Sequence, residues 1–446
     1  MATLFRPRTL ALFLGDLAFF TLALYVALFL RAFELPSREL FVAHLQPFSI
    51  LFAVWVVIFF VAGLYESRSI ILARRALSVT LLVAQTFNVA VAALFFYLPL
   101  FSVAPKTVLF IYLITSFLLI LAWRAVVFPR LGIQRQENAI VVGARPEVQE
   151  LAQALSRAPF APTRVAALIV PGGQVAREVE EAIKEHRARF IIADFGDGAV
   201  SAAFPEMYNL LSRGIRFFDA MELYEEVFGR IPLSILDDRW FARNTSRYAH
   251  TLYDTIKRAV DVSIALPAAV VSLVAYPFIA LAIKLEDRGL VFIWQDRVGE
   301  NGHVVKLPKF RSMERNNLDL TSAAHAQNKV TRVGKVIRAT RLDELPQLWS
   351  VARGDMSLIG PRPELPSGVA FYEKEIPYYG VRHLLKPGLS GWAYVNQSND
   401  PHHGAEVEAT RMKLSYDLYY LKHRSLALDG VIILKTLKKL LTRSGV

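Results

Sequence analysis

At 446 residues the chain is long enough for two or three domains, and 54% hydrophobic residues with a mean hydropathy of +0.35 exceed what an ordinary soluble protein carries, so a membrane is part of its environment. The absence of cysteine excludes disulfides, thiolate catalysis and zinc–thiolate sites. The net charge of +12 suits anionic headgroups or phosphate substrates; no basic run with interleaved aromatics lies on a recognisable nucleic-acid module, so nucleic acid is not expected as a partner.

Four apolar stretches, 10–30, 48–65, 77–98 and 108–128, reach or approach the roughly 20 residues a bilayer crossing needs. The first is too long for a signal-peptide core, lacks a small-residue cleavage site and is followed by further spans. Arg6 and Arg8 precede the first stretch, Arg68, Arg74 and Arg75 separate the second from the third, and Arg124, Arg130 and Arg135 end or follow the fourth. The alternate loops carry only Arg31, Arg38 and Lys106. The positive-inside rule then places the N-terminus and everything after the fourth span in the cytoplasm. Asp16, inside the first stretch, is expected near the interface or paired with a neighbouring helix.

From Asn138 to about Gly229 short strands alternate with amphipathic helices: strands at 139–142, 165–170, 190–193 and 215–218, helices at 147–157, 175–186 and 200–212. This βαβ series predicts a small parallel sheet. The turn Gly143-Ala144-Arg145-Pro146 begins like a dinucleotide-binding loop but lacks its second and third glycines, so regulation, oligomerisation or scaffolding is the expected role. Tyr253 and Lys257 have the YxxxK spacing of short-chain dehydrogenases. Without the glycine fingerprint they read as the amphipathic start of the next helix.

That helix continues as an almost wholly apolar run, 259–283, interrupted by Asp261, Pro267 and Pro277. About 25 residues at 1.5 Å each would span a bilayer, yet basic residues stand at both ends, against the positive-inside rule. Pro267 is expected to bend the helix, giving a re-entrant segment that enters and leaves by the cytoplasmic face.

Further on, 295–313 (QDRVGENGHVVKLPKFRSM) reads as a hairpin turning at Gly299 and Gly302, with a solvated basic strand bearing Lys306, Lys309 and Arg311. The stretch 386–392 (KPGLSGW) is a Pro-Gly turn, and Asp417, Tyr419 and Tyr420 lie in a tyrosine-rich helix expected to pack a core. His402 and His403 are adjacent and make no metal pair. The last amphipathic stretch, 426–442, bears lysines suited to a membrane surface.

The chemistry concentrates in 340–364, TRLDELPQLWSVARGDMSLIGPRPE. Thr340 can cap a helix starting at Arg341, which would put Asp343 and Glu344 in its first turn, where free N–H groups and the helix dipole favour negative charge and phosphate. Arg332, Lys335, Arg338 and Arg341 precede the carboxylates and Arg353 and Arg362 follow them. Anion holders beside carboxylates suit phosphoryl transfer, in which a carboxylate is nucleophile or metal ligand and arginines neutralise phosphate oxygens.

These residues resemble a known family. From Tyr253 to Val446 the chain is similar to the bacterial sugar transferases, monotopic phosphoglycosyl transferases. The shared features are the KRxxD start (Lys257, Arg258, Asp261), the proline-broken membrane helix, the KFRSM element (Lys309, Phe310, Arg311), LDELPQL, GDMSLIGPRP and PGLSGW. Each is weak alone; together they are specific. The departures are Leu266 before the breaking proline, where serine is frequent, and Ser390 where threonine is frequent. The layout is similar to the large form of the family. It implies an N-terminal four-helix transmembrane bundle (1–135), a Rossmann-like α/β middle domain (136–250) and an α-rich catalytic domain (251–446) with a re-entrant membrane helix at 257–284.

For mechanism the resemblance implies that Asp343 attacks the sugar-bearing phosphorus of a UDP-sugar, releasing UMP and leaving an aspartyl phosphosugar that undecaprenyl phosphate then takes. Mg²⁺ would be the cofactor, held at Asp343 and Glu344, with Glu344 placing the metal or handling a proton. Lys309, Arg311, Arg338 and Arg362 would contact phosphate, Pro361 and Pro363 would stiffen Arg362, and Asp355 would support the turn. Lys257, Arg258, Asp261 and Pro267 would shape the membrane helix. Membrane lipid is an implied partner, a homodimer is left open, and the site is expected on the cytoplasmic side of a bacterial inner membrane, starting O-antigen, capsule or exopolysaccharide synthesis. The competing readings are a catalytically silent scaffold and a membrane-anchored nucleotide-sugar dehydratase.

Overall fold

The structure, a computed structural model, describes residues 7–61, 64, 106–131, 137–157, 163–245, 251–314, 330–397 and 406–441. The chain divides into two compact units, Met1–Phe228 and Gly229–Val446.

In the first unit, three helices are long and apolar enough to cross a membrane, over Leu10–Ala32, Arg38–Phe59 and Thr107–Val127. They match three of the four stretches read from the sequence, and 77–98 lies outside the described residues. Lipid tails are as apolar as leucine, so such helices associate through packing and polar pairing rather than the hydrophobic effect. Here aromatic rings provide the packing: Trp55 stacks on Tyr112 at 5.2 Å and Phe20 on Phe52 at 5.7 Å. Asp16 is fully buried and pairs with Arg124, whose Nε donates to Oδ1 at 3.0 Å and whose Nη1 donates to the Leu64 carbonyl at 2.9 Å. The pairing with a neighbouring helix expected of Asp16 is present.

The same unit holds four parallel strands, β1 (Glu137–Val142), β2 (Thr163–Ile169), β3 (Phe190–Ala193) and β4 (Arg216–Asp219), in the order β2-β1-β3-β4. Helices Pro146–Arg157, Val175–His186 and Gly198–Met207 connect them. The third was expected to reach Ser212; beyond Met207 it tightens into a 3₁₀ turn, Tyr208–Leu210, and the chain reverses at Gly214 with φ +79°. The winding changes direction between β1 and β3, the point where doubly wound sheets take their ligands. Arg145 fills that crevice: its Nε lies 3.3 Å from the buried Asp194 Oδ2 and its Nη2 donates to the Gly196 carbonyl at 3.4 Å. The turn without its second and third glycines thus carries a cation paired with the carboxylate that follows β3.

In the second unit a short helix, Asp238–Thr245, precedes two helical arms, Thr251–Ser272 and Tyr276–Asp287, bent by 53°. The bend corrects the sequence reading. It falls at 273–275, directly before Pro277, whereas Pro267 is absorbed inside the continuous first arm. At the break the amides of Leu273, Val274, Ala275 and Tyr276 each bond three residues back, tightening the chain, and Pro277 then opens the second arm where a missing N–H costs nothing. The residue preceding the breaking proline is therefore Tyr276, not Leu266. Both arms and the break show apolar side chains outward: Val271 on the first arm, Val274 in the break and Phe278 on the second arm are each about 70% exposed.

After the arms come the hairpin Phe292–Val298 with Val304–Phe310, helices Arg332–Ala339 and Gln347–Arg353, and a parallel strand pair Ser357–Ile359 with Gly388–Ser390. Helices Pro366–Glu375, Val407–His423 and Leu426–Leu441 complete the unit, which is α-rich as expected. On the last helix Lys435 lies 4.4 Å over the Trp392 ring and Lys439 4.3 Å over that of Tyr394. These two lysines hold the helix to the protein rather than facing a membrane surface.

Candidate active site

The carboxylates sit in a turn, not at a helix start. No helix starts at Arg341 for Thr340 to cap: Thr340 ends the helix Arg332–Ala339, its hydroxyl donating back to the Val336 carbonyl at 2.8 Å, while Thr331 caps that helix's start by accepting the Gly334 amide at 2.8 Å. Arg341 reverses the chain with φ +57°, Leu342–Glu344 form a single 3₁₀ turn, and the next helix begins only after Pro346. Asp343 and Glu344 are thus held in a connection between two helices. Leu342 and Leu345 anchor that connection on a core formed by Ile279 and Ile283 of the second arm with Phe310 and Ile337.

Asp343 is buried, and its Oδ1, shielded from solvent, accepts no hydrogen bond from the described residues. Glu344 Oε1 receives Arg362 Nη2 at 2.9 Å and faces Arg341 Nη1 at 3.5 Å. Lys309 and Arg338 add their fields to that of Arg341 on Asp343. Of the residues singled out from the sequence, the fold therefore gathers Asp343, Glu344, Lys309, Arg338 and Arg362.

Others serve elsewhere. Arg311 is buried with its guanidinium packed against Gly289, where a Cβ would come within 1.5 Å of Nη1. The basic strand is accordingly not solvated throughout: Lys306 is exposed and Lys309 only half-exposed. Asp355 lies in the turn closing the helix Gln347–Arg353, its amide bonded to the Ser350 carbonyl and its carboxylate 3.7 Å from Arg353. The KRxxD residues fasten the first arm to the remainder of the unit. Lys257 reaches Asp429 at 3.2 Å, and Arg258 donates to the Val351 and Ala352 carbonyls at 2.6 and 2.7 Å. Asp261 accepts from the Ser357 hydroxyl at 2.7 Å and the Leu358 amide at 3.3 Å.

The Pro361-Arg362-Pro363 segment is seated by close backbone contact. A Cβ on Gly360 would lie 2.2 Å from the Lys386 carbonyl, on Gly388 2.1 Å from the Gly360 nitrogen, and on Gly391 2.3 Å from the Gly360 carbonyl. The GPRP and PGLSG motifs are two halves of one backbone contact that glycine alone permits. Sequence reading missed Arg297, Arg382, Lys413 and Glu364 around this segment. The available signals were a charge at alternate strand positions, Arg297 sharing a face with Ile293 and Gln295, and Lys413 and Asp417 four apart on one helix.

A sequence model described as bacterial sugar transferase matches residues 252–443. The UDP-glucose:undecaprenyl-phosphate glucose-1-phosphate transferase of Caulobacter vibrioides is 39% identical over 195 residues, 42% of this chain and 71% of that protein. The exopolysaccharide production protein PSS of Rhizobium leguminosarum bv. phaseoli is 36% identical over 194 residues, 42% of this chain and 96% of that protein. The chain belongs to the bacterial sugar transferase family. The UDP-N-acetylgalactosamine-undecaprenyl-phosphate N-acetylgalactosaminephosphotransferase of Aeromonas hydrophila is 39% identical over 266 residues, 57% of this chain, and the chain spans 59% of that relative's length.

In this bacterial sugar transferase the surroundings push the two carboxylates apart. Burial, then the Glu344 charge, raises the pKa of Asp343 against the pull of Lys309, Arg341 and Arg338. For Glu344 burial also acts upward, but Arg362, Lys309 and Arg341 outweigh it and hold the group at about 2. Lys309 is drawn down to about 8, chiefly by burial. Among the described residues no group of three or more His, Asp or Glu side chains could hold a metal ion by itself. Hard cations prefer carboxylate oxygens, and Asp343 and Glu344 are the two carboxylates that the fold places side by side here.

The opposite shifts give opposite stability effects. A raised pKa means the folded chain holds the Asp343 proton more tightly than the unfolded one, so stability falls as pH rises through the folded value, and the carboxylate form of Asp343 opposes folding. Glu344, lowered to about 2, stabilises the fold above its unfolded value and loses that contribution as pH falls towards 2. Thermal melts at pH 7 should therefore show Asp343→Asn equal to the parent or higher by on the order of a few °C, and Glu344→Gln lower. A clear loss in Asp343→Asn would contradict this electrostatic picture.

Proposed function

We propose that this chain transfers a hexose 1-phosphate from a UDP-sugar to undecaprenyl phosphate, releasing UMP, and so initiates an O-antigen, capsule or exopolysaccharide. The observation that carries the proposal is the buried, unpartnered Asp343 Oδ1 among cations, beside a Glu344 already held by arginine. A carboxylate that is desolvated and free of hydrogen bonds has a reactive lone pair and nothing to surrender before using it. Three curated relatives carry matching activity or pathway names, two of them undecaprenyl-phosphate sugar-phosphate transferases.

In the first step an Asp343 oxygen attacks the sugar-bearing phosphorus, the phosphoanhydride bond breaks, and UMP departs with the bond's electron pair. In the second, an oxygen of undecaprenyl phosphate attacks that phosphorus and the acyl phosphate bond breaks, returning the Asp343 carboxylate. Arg338, Arg362 and Lys309 bind the phosphate oxygens, and Arg362 holds Glu344 ionised beside them. Mg²⁺, held by Asp343 and Glu344, would supply charge neutralisation as the anionic nucleophile meets an anionic substrate. The broken helix enters and leaves by the cytoplasmic face of the bacterial inner membrane, keeping the site where nucleotide sugars are.

Purified protein should release UMP from one of UDP-glucose, UDP-galactose or UDP-N-acetylgalactosamine with Mg²⁺ and undecaprenyl phosphate. Asp343→Asn should abolish transfer and the covalent intermediate; full activity in that variant would remove the nucleophile. Because Lys309 titrates near 8 and serves as a cation, kcat/KM should fall as pH rises through about 8, and Lys309→Arg should carry that limb to higher pH. The cysteine-free chain also gives a clean background for labelling. Single cysteines at Leu252 and Leu290, flanking the two arms, should both react with an impermeant thiol reagent from the cytoplasmic side, and reaction from opposite sides would make the broken helix a crossing.

A further inference from the structure

Four consecutive backbone carbonyls around Arg362 are each held by a different donor. The Gly388 amide donates to Pro361 at 2.9 Å, Arg382 Nη2 to Arg362 at 3.1 Å, Arg297 Nη1 to Pro363 at 3.2 Å, and the Val298 amide to Glu364 at 2.9 Å. Prolines on both sides remove two amides, fix φ at 361 and 363 and hold Arg362 extended, so carbonyls are the main backbone handles left. One of those handles is gripped from deep inside the protein.

The Arg382 side chain is completely buried. Its Nε donates to Asp417 Oδ2 at 2.9 Å and its Nη1 to the Tyr379 hydroxyl at 3.0 Å, with Glu364 Oε1 3.6 Å from Nη1. Asp417 is buried too, and Lys413, one turn earlier on the same helix, holds the Glu364 carboxylate. Buried ion pairs rarely add net stability, and an apolar pair of similar volume commonly folds as well or better. An apolar pair could not, however, donate to the Arg362 carbonyl. The polar pair therefore lies one bond from the residue that holds Glu344: Asp417 to Arg382, Arg382 to the Arg362 backbone, Arg362 to Glu344.

We propose that Arg382, oriented by Asp417, is a positioning residue of the transfer reaction, pinning the Arg362 backbone so that its guanidinium stays on Glu344 and available to substrate phosphate. The proposal rests on the transferase reading. It says that Arg382 acts through Arg362 and touches no substrate.

The test measures kcat/KM for UMP release by the full-length protein in two backgrounds. Arg382→Lys keeps a charge for Asp417 but loses the fork that reaches the carbonyl, and should lower kcat/KM roughly 10–100-fold in the parent, the scale of a misplaced catalytic group. In an Arg362→Lys background, which retains a cation and a measurable rate, the same change should cost less than about threefold, because its route of action is already gone. Equal fold losses in both backgrounds would overturn the proposal. Arg382→Met/Asp417→Leu leaves no buried charge unpaired, so it should fold with a similar Tm yet show the same loss; unchanged kcat/KM in it would also overturn the proposal. Hydrogen exchange gives a readout independent of activity. The Gly388 and Val298 amides should exchange faster in this double variant, and unchanged protection would refute the clamp. Absence of UMP release by the parent protein from every sugar would defeat the transferase reading instead, leaving the clamp to be decided by exchange.

Discussion

Two neighbouring carboxylates in a desolvated turn cannot share one environment, and the design of this site follows from how that conflict is resolved. Arg362 and Arg341 both meet Glu344 Oε1, fixing it as the permanent anion. Asp343 receives only longer-range attraction and no hydrogen bond, so burial and its ionised neighbour act on it together. Like charges side by side are pushed to different affinities for protons, and their roles separate accordingly. The arrangement is costly to the fold at Asp343 and returns stability at Glu344, the pattern expected where a reactive group is held ready by a fixed partner.

Holding that asymmetry requires Arg362 to stay in place, and the chain devotes distant elements to it. The hairpin supplies Arg297 and Val298, the second half of the strand pair supplies Gly388, and the segment Tyr379–Leu384 supplies Arg382. Gly360, Gly388 and Gly391 let the two motif backbones approach so closely that any side chain would collide. Arg258 and Asp261 meanwhile grip both ends of the link from the helix Gln347–Arg353 to the strand Ser357–Ile359. A set of short motifs, unremarkable one at a time in sequence, is a single interlocked surface in space.

How much of this could be read from the sequence depended on the range of the forces involved. Short continuous apolar runs exposed the parallel strands because both faces are buried, as at 139–142 and Phe190–Ala193. The cluster of Asp343, Glu344, Lys309, Arg338 and Arg362 was legible from charge density and motif. What escaped was set by competition between local signals. Thr340 is fit to cap a helix start, yet here its hydroxyl bonds back to the Val336 carbonyl at the end of the preceding helix and Arg341 turns the chain with φ +57°. Pro267 and Pro277 are both fit to bend a helix, and the break came where tightened turns precede the second. Arg311, read as a phosphate contact, packs on Gly289, and Arg382 with Asp417 could not be paired without knowing that 35 residues of chain fold back.

The last constraint is the meeting of two phases. On the proposed transferase reading, a lipid-borne acceptor and a soluble nucleotide sugar can react only where an apolar surface and a cationic site lie close together. Leu342 and Leu345 bracket the two carboxylates and pack on Ile279 and Ile283 of the arm whose other face exposes Phe278, Leu281 and Leu285. Glu286, near the end of that arm, accepts the Arg332 and Val333 amides at 2.6 and 3.0 Å, tying the helix that carries Arg338 to the same place. Only a few side chains therefore separate the apolar outer face of the broken helix from Asp343. Because interiors pack densely, displacement of the arm would be transmitted to the carboxylate turn rather than absorbed. The exposed apolar face of the broken helix and the geometry of the carboxylate turn are one packing problem in this chain, which is why the bend at 273–275 and the site at Asp343 must be understood together.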